Sequence, residues 1–499
     1  MANRNVVTLQ NVSYVTVQNL NLQGLSIRII SISDSQHVGI LNNTLRWGSD
    51  AGLSLLAVNA GRIMHNTITQ NGCGVYLTTK FEHQTSNDLL IANNTFRDID
   101  PENFYHNSDT HAIGIQGGLR NVYEHNRIDR VGGSGLTFFQ WHNVSMSHSV
   151  VRFNVISNVW NDDQANYHKL QRGIEFDSGD VNISRCTNNT VSYNVLQNIG
   201  TSAFRSKATV NPTAENKYSW RWLNNIVVNA SVSFETRYTA SIPSMIPHGD
   251  LVANNLFVSP RVHHQDGVIP GNSSKDTDRF ENNAFWPPRG TPASAAAALF
   301  CFGGSDSPID AKNWTRNCSS FAGWAARFPK AMLDASTMVL VNPEMGGGDA
   351  LPAAALPTSK ALASAGKALP YEVVRARTDI AGRPLRSPPS IGAFQIALLE
   401  SGLEVVHSWP WKSDDDDSSS PFGEGAHMHE PQFHVIAPQF PGLNGSTWPG
   451  GVNDANAVFG HNGVFHIMHQ VRKTPRQVGP EVGPTSAVYS CIPTGMHGP

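Results

Sequence analysis

Residues 52–77 read GLSLLAVNAGRIMHNTITQNGCGVYL, and this one stretch holds a full period of the repeat that decides the fold. Gly52-Leu53-Ser54-Leu55 opens it, Asn66-Thr67-Ile68 follows, and Gly74-Val75-Tyr76-Leu77 opens the next period. Apolar and polar residues alternate inside these segments, the pattern of a strand with one buried face. Working outward, an Asn closely followed by apolar residues recurs at Asn19, Asn43, Asn66, Asn94, Asn126, Asn154, Asn194, Asn225, Asn255 and Asn283, at intervals of 23 to 40 residues. The Gly segment returns in phase at Gly114-Ile115-Gln116, Gly135-Leu136-Thr137-Phe138 and Gly173-Ile174-Glu175-Phe176. A period that varies while two markers keep phase is expected of a solenoid with a fixed cross-section and unequal loops. Gly and Asn tolerate the left-handed backbone of a tight corner, and stacked Asn side chains bond the backbone of neighbouring coils. The ladder asparagines are therefore read as structural.

Stacking the Gly segments predicts an outward column of Ser54, Tyr76, Gln116, Thr137, Glu175 and Arg205, with Asp177 and Lys207 beside its charged end. Neighbouring coils lie about 4.8 Å apart, so the column is nearly continuous. An aromatic ring, an amide, a carboxylate and a guanidinium in one line suit a sugar chain. The plain alternative is a surface ion pair between Glu175 and Arg205, worth little. A loop, His106-Asn107-Ser108-Asp109-Thr110-His111, has metal-ligand residue types but reads better as a turn-rich connection, so no metal or cofactor is expected.

Composition removes other classes. Thirty-six basic and 39 acidic residues give a net charge of -3 without a basic block, so neither nucleic acid nor an anionic membrane is an expected partner. No apolar run approaches the roughly 18 residues of a membrane span, and no leader of the charged-then-apolar kind is visible. Low charge, 15%, with abundant Asn, Ser, Thr and Gly fits an extracellular or secretory-pathway protein, as do Asn-x-Ser/Thr triplets at Asn143, Asn229 and Asn313. Of the five cysteines, Cys301 and Cys318 are close enough in sequence to bridge a loop.

The repeat resembles the pectate-lyase-like right-handed parallel β-helix superfamily, and the resemblance runs from the start of the chain to about Gln395. It closes on Asp379-Ile380-Ala381-Gly382-Arg383-Pro384 and Ser390-Ile391-Gly392-Ala393-Phe394, similar to the terminal segment of that group. The resemblance implies an all-β solenoid of about ten coils over residues 1–397 that binds or cleaves polysaccharide. It also implies that a lyase would need a base and a cation from among Glu175, Asp177, Arg205 and Lys207. The paired aspartates of the superfamily's polygalacturonases and the arginine-rich motif of its pectate lyases have no counterpart here. The first strand begins almost at Met1 without a cap, which is read as a missing N-terminal portion.

Residues 398–428 change character: Ser413-Asp414-Asp415-Asp416-Asp417-Ser418-Ser419-Ser420 is an acidic linker. In 429–499, Gln432-Phe433-His434-Val435, Trp448, Asn453-Asp454-Ala455-Asn456-Ala457 and Gly463-Val464-Phe465-His466-Ile467-Met468-His469-Gln470 resemble the opening of the glycoside hydrolase family 32 propeller, the invertases and fructan hydrolases. By that resemblance Asp454 is the nucleophile of retaining hydrolysis, and Asn453, Gln470 and Trp448 contact the sugar. Ala455 and Ala457 stand where that family carries Pro and Gly. Its acid/base glutamate and its Arg-Asp-Pro motif would lie further on, so 429–499 is expected to form an incomplete blade of glycosidase ancestry without turnover. The leading expectation is thus a carbohydrate-active protein of β-fructosidase type with a polysaccharide-binding β-helix. A polysaccharide lyase acting on the solenoid, or a non-catalytic surface β-helix used in adhesion, is the alternative.

Overall fold

The computed structural model describes residues 5–24, 27–79, 84–100, 110–139, 144–159, 171–177, 186–207, 220–237, 250–258, 262–265, 279–286, 300–303, 318–319, 332–333, 338–339, 362–363, 365–393, 397–399, 402–404, 439–441, 447–449, 451–461, 464–472 and 489–494. The chain divides into two units, 4–410 and, apart from the first three residues, 411–499. His106 to Asp109, Asn143, Asn313, the acidic linker and Gln432 to Val435 lie outside the described residues.

In the first unit short strands come in threes, and each strand pairs in parallel with its counterpart in the next three. Val7–Gln10 pairs with Arg28–Gln36, Arg28–Gln36 with Ala51–Asn59, and Ala51–Asn59 with Cys73–Thr78. This long ladder continues through His111–Gln116, Ser134–Phe139, Ile174–Asp177 and the second halves of Val195–Lys207 and Ile226–Arg237. A second ladder of eleven strands begins at Thr16–Gln18, and a third begins at Asn21–Gln23. The result is an all-β solenoid with long parallel sheets. One face of the strands goes to a shared interior, where Leu53, Val75, Ile113, Leu136, Ile174, Phe204 and Phe234 stack through the long ladder.

One corner is built by two residues with separate tasks. Asn42, Asn93, Asn224, Asn254 and Asn282 take left-handed backbone, with φ of 50 to 57°. The next residue is the ladder asparagine, whose Oδ1 accepts both the backbone N–H and the side-chain amide of its counterpart one coil earlier. Asn66 N and Nδ2 reach Asn94 Oδ1 at 2.9 and 3.0 Å, and Asn94 reaches Asn126 at 3.1 and 3.0 Å. The series runs unbroken from Asn43 to Asn283, each member buried. Two expectations are corrected. The ladder asparagines do not carry the corner's left-handed turn, because their Oδ1 must face along the stack. Asn19 is not a member either: it sits at φ 59°, accepts from Asn42 Nδ2 at 2.8 Å, and leaves the ladder slot to Leu20, whose N–H donates to Asn43 Oδ1.

The glycine marker also has a different cause from the one expected. None of Gly52, Gly74, Gly114, Gly135 and Gly173 is among the positive-φ glycines. Gly52, Gly74, Gly114 and Gly135 lie in strands and Gly173 directly before one, all without room for a side chain: a Cβ on Gly74 would strike the Ala112 carbonyl, and one on Gly173 would strike Leu196 and the Ala203 carbonyl.

Residues 365–393 run back along the outside of the asparagine corner. Asn282, Asn254 and Asn224 donate their side-chain amides to the carbonyls of Ala365, Lys367 and Ser390 at 3.2, 2.9 and 3.2 Å, and Ser192 Oγ donates to Val374 O at 3.3 Å. Leu362, Val374, Ile380 and Ile391 cover Phe153, Tyr193, Leu223 and Leu256, making a second apolar core outside the first. Further along, Phe300–Gly303 pairs antiparallel with Cys318–Ser319 and sets Cys301 opposite Cys318.

The second unit contains a three-stranded antiparallel sheet, Gly451–His461, Val464–Arg472 and Tyr489–Thr494, and a separate pair, Gln439–Pro441 with Thr447–Pro449.

Candidate functional site

Strand alternation along the long ladder turns Thr137, Glu175, Arg205 and Glu235 away from the solenoid interior, since their neighbours Leu136, Phe138, Ile174, Phe176, Phe204 and Phe234 belong to it. The register sets the order without ambiguity: Ser54 beside Tyr76, Tyr76 beside Gly114, then Thr137, Glu175, Arg205 and Glu235. The register puts Ser54, Tyr76, Thr137, Glu175 and Arg205 in one column, with one difference from the expected order. Gly114, not Gln116, fills the slot after Tyr76, because a Cβ there would run into the Tyr76 ring. Gln116 lies two residues on and on the same face, in the parallel column with Asp177 and Lys207. It still meets the tyrosine, its Nε2 donating to Tyr76 OH at 2.5 Å. Of Lys207 only the backbone position in the strand is described.

The charged end is not a surface pair. Glu175 is 0% exposed and Arg205 1%. Arg205 Nη1 donates to Glu175 Oε1 at 2.7 Å, and Arg172 Nη1 donates to the same oxygen. Asp177 Oδ2 stands 3.9 Å from Arg205 Nη1, and Glu235 Oε1 stands 3.7 Å from Arg205 Nε. Ser202 Oγ donates to the other Glu235 oxygen. Next in line, His111 and Thr137 share a hydrogen bond of 3.0 Å between Nδ1 and Oγ1. At this depth the pair energies are large but so is the desolvation of each ion, and the network is favourable only when every lone pair and N–H is used. It is not: His111 Nε2, Arg172 Nε, Glu175 Oε2 and Arg205 Nε make no hydrogen bond.

Protonation follows from the surroundings. Burial, reinforced by the Arg172 charge, pushes the His111 imidazole down to about 3, so it is neutral at pH 7. Burial and the Arg205 charge push Arg172 down to about 10, which leaves it a cation. Burial works against the Arg205 charge, but Glu235, Glu175 and Asp177 outweigh it and raise that guanidinium above its ordinary value. Among the described residues the cluster thus holds two cations, three carboxylates and a neutral imidazole. No group of three or more His, Cys, Asp or Glu among the described residues is placed to hold a metal ion, and no described helix is long and apolar enough to cross a membrane.

Sequence reading missed His111, Arg172, Ser202 and Glu235. His111 was grouped with a turn, although His111-Ala112-Ile113-Gly114-Ile115 alternates as a strand does. Arg172 precedes the Gly173 marker, and Glu235 lies in a coil with no glycine marker at all. The signal for Glu235 was the match of Phe204-Arg205-Ser206 to Phe234-Glu235-Thr236.

In the second unit the backbone register sets Asn453 opposite Gln470, with Asp454 at the irregularity between Asn453 and Ala455. Trp448 lies in the separate strand pair, opposite Phe440.

No family model and no curated protein sequence matches the chain. Several solved structures are similar at low identity. An alginate lyase from Paenibacillus sp. str. FPU-7 is 13% identical over 57% of this chain and 96% of its own, with a TM-score of 0.37. XylC in complex with xylose is 12% identical over 79% of this chain and 66% of its own, with a TM-score of 0.42. The catalytic domain of a GH87 alpha-1,3-glucanase in complex with tetrasaccharides is 12% identical over 55% of this chain, with a TM-score of 0.34, and the chain spans 45% of that domain.

Proposed function

We propose that this is an extracellular carbohydrate-active protein. Its first unit is a right-handed parallel β-helix of about ten coils that holds a polysaccharide along the outward face of the long ladder. The observation that carries the reading is the line of Tyr76, Thr137, Glu175, Arg205 and Glu235, with Gln116 in the column beside it, which ends in a buried polar cluster with unused hydrogen-bonding atoms. Natural cores leave few such atoms, and four in one cluster are a reason to look for a ligand. Tyr76 and Gln116, half-buried, form the part of the line that a sugar ring meets first. Affinity measurements across a polysaccharide panel test this: Tyr76→Ala and Gln116→Ala are expected to weaken binding at least tenfold while the protein stays folded. Unchanged affinity in both would remove the ladder face from the account.

The second unit we read as the opening part of a retaining β-fructosidase-type domain, with Asp454 as nucleophile and Asn453, Gln470 and Trp448 in the first sugar subsite. The support is the pairing of Asn453 with Gln470 beside the Asp454 irregularity. Fructose release from sucrose or inulin by a protein containing this segment, lost in Asp454→Ala, is the expected result. Release that survives the substitution rules the assignment out.

A further inference from the structure

The strand pair Phe300–Gly303 and Cys318–Ser319 brings two cysteines together at one edge of the solenoid. On one side Phe300–Gly303 pairs in parallel with Val262–Gln265 as a member of the long ladder, with Cys301 beside His263. On its other side it pairs antiparallel with Cys318–Ser319, and Cys301 stands directly opposite Cys318. Among the described residues no strand pairs beyond Cys318–Ser319 in this ladder, whereas the second and third ladders each go on by one parallel strand, Met332–Leu333 and Met338–Val339. The reversed strand thus occupies the edge where a further parallel strand would otherwise pair.

A bare edge is a row of unpaired N–H and C=O groups that another chain can join. Two residues of antiparallel strand cover it with few hydrogen bonds, and closing the loop 302–317 to bring them there costs entropy that so short a strand repays poorly. A covalent link between the strands lowers that cost, because it closes the same loop in the unfolded chain. The register suits such a link. Residues directly opposite in an antiparallel pair share one face of the sheet with Cα atoms about 4.5 to 5.5 Å apart, inside the roughly 4.4 to 6.8 Å that a disulfide spans. The other cysteines do not compete. Cys73 and Cys186 are thiols buried in earlier coils, and burial raises the Cys186 thiol above its ordinary value. Cys491 belongs to the second unit, where the register sets it opposite Met468.

We propose that Cys301 and Cys318 form a cross-strand disulfide that fastens the antiparallel strand Cys318–Ser319 to the edge of the long ladder. The bond forms by exchange with a small disulfide such as oxidised glutathione. One cysteine thiolate attacks it and releases one reduced glutathione; the other attacks the mixed disulfide, joins Sγ to Sγ and releases the second. The two cysteines give up two electrons to the glutathione disulfide, and their two protons end on the released thiols. Nothing in this bond depends on what the long-ladder face binds.

The test uses the full chain, purified under reducing conditions and equilibrated without denaturant in a mixture of oxidised and reduced glutathione at the poise of the secretory pathway. It is then quenched with acid, alkylated in denaturant and digested with trypsin. Lys312 and Arg316 lie between the two cysteines, so only a sulfur bond keeps their peptides together. Mass spectrometry is expected to find these peptides joined, lighter by two hydrogens than their sum, with Cys73, Cys186 and Cys491 alkylated. Cys301 or Cys318 mostly alkylated, held by glutathione or joined to a different cysteine overturns the disulfide. Hydrogen exchange tests the fastening. Reduction is expected to speed exchange of the backbone amides of Phe300–Gly303 at least tenfold and to leave Ala51–Asn59 of the same ladder unchanged. The double variant Cys301→Ser, Cys318→Ser should exchange as reduced wild type does and ignore the reductant. Exchange at Phe300–Gly303 that is equal with and without the bond, or an equal acceleration at Ala51–Asn59, overturns the role at the edge.

Discussion

The asparagine corner and the Glu175 cluster are both polar and both buried, yet they are built on opposite terms. In the corner every amide is used: Asn126 Nδ2 donates to Ile91 O at 2.9 Å and to Asn154 Oδ1 at 3.0 Å, and its N–H reaches the same Oδ1 at 2.9 Å. In the cluster four atoms on 0 to 4% exposed side chains are left over. The first is what a solenoid needs to carry its backbone round a bend, since a buried N–H without an acceptor is costly. The second is more than stability needs, because ion pairs at such depth are commonly matched or exceeded by apolar residues of the same volume. A polar core whose atoms are all used reads as structure, and one with spare atoms reads as a site.

Single and combined substitutions test that contrast. The largest effect is expected from Glu175→Leu, which removes the one carboxylate that both Arg172 and Arg205 donate to; a loss of about 3–5 kcal/mol should appear in denaturant unfolding. Next comes Asn126→Ala. It takes the acceptor from both the N–H and the side-chain amide of Asn94, and a loss of roughly 3 kcal/mol is expected by the same measurement. A loss under about 1 kcal/mol would mean that the ladder tolerates unsatisfied donors and that the contrast is weaker than drawn.

Smaller effects separate space from charge. Gly173→Ala is expected to cost about 1–3 kcal/mol through its clash with Leu196 and the Ala203 carbonyl, although its backbone is not left-handed. His111, with its folded value depressed to about 3, contributes stability that is complete above the ordinary histidine range and is lost as pH falls below 6.5 toward 3. The unfolded chain takes the proton in that window and the folded one does not. Wild type should lose roughly 1 kcal/mol more than His111→Gln between pH 7.5 and 5.5. Parallel curves would show that His111 takes up its proton in the fold as readily as in the unfolded chain.

Much of the architecture was legible because the solenoid repeats its demands. A slot that must cap two donors one coil earlier takes Asn each time, so Asn43 to Asn283 stood out, and alternation around Glu175 and Arg205 put them in one line. What escaped depended on local space. Gly114 looked like a corner marker when it is a gap for the Tyr76 ring, and this shifted Gln116 by two residues. His111 and Arg172 lie at strand starts, where no periodicity announces them, and only the folded register shows them meeting Thr137 and Glu175.

The decisive experiment on this cluster is a quadruple replacement, Arg172→Met, Glu175→Met, Arg205→Met and Glu235→Met, assayed for unfolding free energy and for affinity to the polysaccharide that wild type binds best. With both cations and both fully buried carboxylates removed together no fully buried ion is stranded, so stability should stay within about 1 kcal/mol of wild type or rise, while binding should be lost. A variant that unfolds more easily by several kcal/mol, or one that binds the polysaccharide as well as wild type does, would contradict the view that this cluster is kept for a ligand.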